Sequence, residues 1–126
     1  MVAASAVCAL NFSLSAGNSG DAPCGRELLV RTNPPVLPCG LLMDRAYEGN
    51  ETRELSACLG YTPVVPPNPN RLEPWEYDKE LYKKRNEVER LFRRVKAYRR
   101  IFTRYDKLDV VYLGFLLLAL IIEALR

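Results

Sequence analysis

The chain contains no histidine. Its absence removes the commonest general base and the commonest zinc ligand together. The four cysteines (Cys8, Cys24, Cys39 and Cys58) are widely separated and form no C-x-x-C pair, which argues further against a zinc site. No disulfide framework is expected in a chain with an ordinary core, and the reading is a reducing, cytoplasmic compartment. Basic residues are scarce in the first 70 positions, where only Arg26, Arg31, Arg45 and Arg53 occur. In particular, none precedes the apolar run over residues 1–10, which Asn11 and Ser13 soon interrupt; a strand is expected there rather than a signal peptide. Long hydrophobic runs are missing too. The 13 uncharged residues 110–122 make a helix of about 20 Å, short of the roughly 30 Å hydrocarbon core of a bilayer. Asp109 and Glu123 flank that run and Gly114 lies inside it, so a buried core helix is expected rather than a membrane span. A basic segment followed by a small C-terminal membrane anchor is the competing arrangement.

What the chain does have is unevenly placed charge. Its 126 residues suffice for one modest domain, and 48% hydrophobic content argues against disorder. The net charge is only +3, but 13 of the 18 Lys and Arg residues fall between Arg71 and Lys107. Such a concentration points to a polyanionic partner.

Punctuation along the chain suggests strands over 2–10 and 11–16, a turn at 17–21 and a short helix over 21–29 with Pro23 in its first turn. Residues 41–43 read as a buried apolar strand presenting Asp44 at its end. A helix over 49–59, with Thr52, Leu55 and Leu59 on one side, is closed by Gly60 at the position just past its end. A strand over 62–65 is stopped by Pro66 and Pro67, and a proline-rich connection runs over 66–77. One continuous basic helix over 78–104 follows, with Asp78 as its N-cap. Asp106, with Asp109 three residues on, caps the last helix. Strands alternating with helices give an α/β class with a short, partly parallel mixed sheet and two C-terminal helices. Four segments result: 1–65 with strands and helices, the connection 66–77, the basic helix 78–105, and the apolar helix 106–126.

Within the basic helix, eleven Lys and Arg face three acids over residues 79–104. At ~100° per residue, Val88, Leu91, Phe92, Val95, Tyr98 and Phe102 share an apolar face. Glu89 lies outside it, in a stripe whose other members are Arg85, Arg93, Lys96 and Arg100. Two readings fit. Arg85–Glu89 and Glu89–Arg93 are i,i+4 pairs that stabilise a helix by ~0.2–0.5 kcal/mol each. Alternatively, a carboxylate among cations that hold DNA phosphates suits metal-dependent phosphodiester chemistry, which gathers several acids from different elements around hard cations. Asp44 is the natural second acid, or else a turn-capping residue. Asp21, Glu48 and Glu51 are weaker candidates, mostly explained by turn and helix-start chemistry.

The spacing Tyr82-x2-Arg85-x3-Glu89-x6-Lys96, preceded by Leu41-Leu-Met-Asp44-Arg-Ala-Tyr47-Glu and Gly60-Tyr-Thr-Pro-Val-Val-Pro-Pro67 and followed by Arg99-Arg-Ile-Phe-Thr-Arg-Tyr-Asp-Lys107, resembles the C-terminal half of bacterial insertion-sequence transposases of the DDE class. That spacing is a hallmark of the group, the blocks occur in family order, and residues 12–29 resemble the segment before them. The resemblance implies a ribonuclease-H-like fold, here partial, and cleavage and transfer of DNA strands at transposon terminal inverted repeats, supported by Mg²⁺ or Mn²⁺. It casts Asp44 and Glu89 as the second and third acids of the triad and as metal ligands. Arg85 and Lys96 become DNA-phosphate contacts alongside Arg93 and Arg100, and Tyr82 becomes a support for that site. It implies no membrane and allows a homo-oligomer of the intact family protein. The family's first catalytic Asp and its N-terminal DNA-binding region have no counterpart in these residues, and Gly20 stands where a His is usual. The expectation is a truncated C-terminal remnant with little or no activity alone. A module that binds nucleic acid through the basic helix without catalysis is the alternative.

Overall fold

The computed structural model describes residues 1–126 and divides into two units, Ser15–Arg85 and Met1–Leu14 with Asn86–Arg126. Each is α/β in its own right. The expected single mixed sheet is instead two separate two-stranded pairs, one parallel and one antiparallel, one in each unit.

In the unit Ser15–Arg85, helix α1 covers Asp21–Val30, strand β3 Cys39–Leu42, helix α2 Asn50–Cys58, strand β4 Tyr61–Val64 and helix α3 Lys79–Tyr82; β1 and β2 belong to the other unit. β3 and β4 pair in parallel from Cys39↔Tyr61 to Leu42↔Val64, and α2 is the crossover that a parallel pair requires. Pro63 sits in β4 without breaking the pair, as an edge strand allows. Leu28, Leu29, Met43, Tyr61, Val64 and Val65 are buried. The inner face of α2 is centred on Thr52, one of the residues expected there, and on Ser56, while Leu55 and Leu59 are only half-buried. Both hydroxyls are satisfied where they lie: Ser56 Oγ donates to Thr52 O at 2.7 Å and Thr52 Oγ1 accepts from Arg26 Nη1 at 3.3 Å. That bonding is what makes their burial affordable. Gly60 closes the helix at φ +88°, as its sequence position suggests.

In the other unit, β1 (Val2–Ala3) and β2 (Ala9–Asn11) form an antiparallel hairpin where a single strand over 2–10 was expected, and the second strand expected over 11–16 does not continue past Asn11. The reversal is held by Ala4 N donating to Cys8 O at 2.9 Å and Val7 N to Ser5 Oγ at 3.3 Å. Ala and Ser are weak strand formers, and a Ser hydroxyl readily closes a turn. Ala6 N donates to Glu87 Oε2 at 3.1 Å, pinning the turn to the helix Asn86–Lys96.

The basic segment is not one helix. After α3 come a 3₁₀ turn at Lys83–Arg85, α4 at Asn86–Lys96 and α5 at Arg99–Phe102. Three successive cations are spread ~120° apart by the tighter 3₁₀ turn rather than ~100°, which relieves their crowding. The second break is tertiary in origin: the backbone turns at Tyr98, whose hydroxyl donates to Glu123 Oε1 at 2.9 Å. Helix α6, Asp109–Leu125, starts after Leu108, so Asp106 does not cap it. Asp109 is instead engaged by Arg104. The inward face of α6 is Leu116, Ala119, Leu120 and Glu123, and it packs with Leu91, Val95 and Ile101. The core helix is therefore covered on one side only; Val110, Leu117, Leu118 and Ile121 are exposed. No helix is long and apolar enough to cross a membrane.

Candidate active site

Asp44 follows β3 by two residues, so the strand's end delivers it to the surface. Its Oδ1 accepts from Arg45 N at 2.6 Å and so caps the 3₁₀ turn Arg45–Tyr47. Its Oδ2 lies 3.7 Å from Arg85 Nη1, with the Asp44 side chain 60% exposed. Two of the candidate site residues are thus brought together across 41 positions of sequence. Tyr82 completes the cluster: the Arg85 guanidinium lies 5.8 Å from its ring centroid, and Tyr77 packs edge-on against the same ring at 5.6 Å. A planar guanidinium beside an aromatic ring and a carboxylate is the side-chain type that best matches phosphate oxygens.

Glu89 lies in the first turns of α4, half-buried, with Arg93 and Lys96 exposed one and two turns on. The order of charge along α4, with Glu87 and Glu89 early and Arg93, Arg94 and Lys96 late, also suits the helix dipole. Arg100 is separated from this stripe by the break at Tyr98; it belongs to α5, 4.3 Å from the ring centroid of Phe115.

The weaker acid candidates are occupied elsewhere. Glu48 Oε2 accepts from Asn68 N at 3.0 Å and pairs with Arg71 at 3.6 Å. Glu51 pairs with Arg26 at 3.1 Å, and Asp21 is the first residue of α1. No three Asp, Glu, Cys or His side chains gather into a group able to hold a metal ion. Asp44 and Glu89 fall in different units. The residues present do not by themselves fit a divalent cation, which prefers six or more oxygen ligands.

One polar cluster escaped the sequence reading. Glu123, 1% exposed, is contacted by Tyr98 Oη at 2.9 Å, Arg126 Nη1 at 3.1 Å and Arg94 Nη1 at 3.5 Å. The only advance signal was an acid on the same helical face as Leu116, Ala119 and Leu120. Tyr98 is pushed above the ordinary tyrosine range, first by desolvation and then by its bond to Glu123. A raised value means that folding favours the protonated phenol. Its contribution is complete below about pH 10 and fades as pH rises further. Alkaline unfolding followed by circular dichroism is therefore expected to be shallower above pH 10 in Tyr98→Phe than in the wild type; superimposable profiles would contradict the assignment.

The family model described as "Transposase DDE domain" matches residues 1–123. The chain is 32% identical over 111 residues to the "Putative transposase for insertion sequence element IS6501" of Brucella ovis, an alignment covering 87% of this chain and 83% of that protein. No solved structure matches the chain. The chain belongs to the DDE transposase domain family. Over most of its length it is similar to a relative of comparable size.

Proposed function

We propose that these residues form the C-terminal part of a ribonuclease-H-like catalytic domain that cleaves DNA at transposon ends and transfers the strands. The observation that carries this reading is the Asp44–Arg85–Tyr82 cluster: the 3.7 Å contact of Arg85 with Asp44 joins two sequence blocks of the family motif, and Tyr82 lies beside Arg85 at 5.8 Å within one of them. In this reading Asp44 and Glu89 are two of three acids that hold Mg²⁺ or Mn²⁺, which would supply charge neutralisation at the scissile phosphate. Arg85, Arg93, Lys96 and Arg100 hold backbone phosphates near the cut. Tyr82 positions Arg85 by stacking. Tight attachment to the duplex through phosphates carries no base information, so recognition of the terminal inverted repeats is assigned to other residues of the intact protein.

Two acids bind hard cations poorly, and the first acid of the triad is not among these residues. The purified 126-residue chain is therefore expected to bind transposon-end duplex but to leave it uncut in Mg²⁺ or Mn²⁺. A gel assay for nicked product checks this, and metal-dependent nicking above background would overturn the inactivity. The alternative, a non-catalytic nucleic-acid-binding module, shares the binding but places no weight on Asp44 or Glu89.

A further inference from the structure

The proline-rich connection 66–77 carries the chain's one tryptophan, and the packing around it is unusual. Trp75 Nε1 donates to Val65 O at 2.8 Å, which fixes the indole plane. Two guanidiniums lie close to that ring: Arg53 of α2, 3.5 Å from the centroid, and Arg71, 4.7 Å away. Their surroundings differ. Arg71 is neutralised by Glu48 at 3.6 Å and also bonds Asn50 Oδ1. Arg53 is in no ion pair; its charge is disfavoured first by burial and then by Arg71, and is favoured more weakly by Glu48 and Glu54. A purely structural clasp would pair the second arginine with an acid. Here a stacked guanidinium is held flat, its ring-facing side covered and its N–H edge uncommitted, beside a second cation. An anion with two or more oxygens is what such an edge recognises best.

We infer that Arg53 and Arg71, stacked on Trp75, form a second anchoring point for a DNA backbone phosphate, apart from the stripe on α4. The inference rests on the DNA-binding reading above and extends it to residues outside the family motif. The site is tied to the Asp44 turn by direct contacts. Glu48, the residue that ends the Arg45–Tyr47 turn, holds both Asn68 N and Arg71. Phosphate bound here therefore pulls on the same short loop that presents Asp44, which sets a register between backbone contact and the acid.

The single tryptophan makes the site its own reporter. A fluorescein-labelled 20-base-pair duplex is titrated with the full chain, with anisotropy reporting binding and indole emission reporting the site. The expected result is an emission change that saturates together with anisotropy. Arg53→Gln should weaken binding about 3- to 10-fold at low salt and reduce the slope of log affinity against log salt by about one. Arg53→Lys, which keeps the charge but loses the planar fork, should fall between the two. Binding by anisotropy with silent indole emission overturns the inference and leaves the stripe on α4 as the DNA contact. So does an emission change with affinity and salt slope unaltered in Arg53→Gln, which would make the stack a structural clasp. Absence of any binding by anisotropy overturns this inference and the DNA-binding reading together.

Discussion

In an assembly that supplies a third acid to the proposed site, Glu89→Gln is expected to reduce strand transfer by more than about 100-fold while duplex affinity stays equal or rises. The argument is one of magnitude. If Glu89 served only its helix, through i,i+4 attraction to Arg93, it would contribute ~0.2–0.5 kcal/mol, and Gln would barely change activity. A carboxylate that holds a catalytic cation is worth much more; even outer-shell partners of metal ligands typically cost ~10- to 100-fold when lost. A 100-fold loss corresponds to about 2.7 kcal/mol of barrier. Affinity moves the other way because Gln removes negative charge from between cations that face phosphates. Strand-transfer assays beside anisotropy titrations of the same variant separate the two effects. Retained transfer would return Glu89 to the role of a helix-stabilising residue.

Leu91→Ala is the second large effect. Leu91 is fully buried at the centre of a small cluster with Val95, Ile101, Leu116, Ala119 and Leu120. A Leu→Ala truncation costs about 2–5 kcal/mol when the surroundings cannot collapse into the space. Against a typical total of about 5–15 kcal/mol, that is a large share, and the thermal midpoint should fall by about 10 °C or more. Leu72→Ala is the control: Leu72 is 99% exposed, so a change within about 0.5 kcal/mol is expected. Equal midpoints for the two variants in circular-dichroism melts would contradict the placement of the core.

The elements that local chemistry dictates were legible in the sequence. Gly60 announces the end of α2, Pro66 and Pro67 the end of the strand before them, and the run 41–43 a strand that presents Asp44, although the strand runs over Cys39–Leu42 and only Met43, just past it, is buried. The basic segment was misread for a reason that periodicity cannot detect. Its apolar residues repeat as one helix would require, but the buried carboxylate of Glu123, 25 residues beyond Tyr98, recruits that hydroxyl and turns the chain there. The same limit applied to the site. Glu89, Arg93 and Lys96 could be placed on one face because they share a helix. The approach of Arg85 to Asp44 could not be foreseen, since 40 intervening residues fold between them. Nor did composition reveal that α2 buries Ser56 beside Thr52, because a hydroxyl counts as polar until its hydrogen bond is seen.

The central claim is that this chain grips DNA through the cations around Glu89, and the salt dependence of duplex affinity tests it most directly. Five phosphate contacts, from Arg85, Arg93, Lys96, Arg100 and the site at Arg53, predict a slope of about −4.5 for log affinity against log salt. Replacing Arg93 and Lys96 together by Ala should reduce its magnitude by about two. A wild-type slope near zero, or one that the double replacement leaves unchanged, would contradict the account.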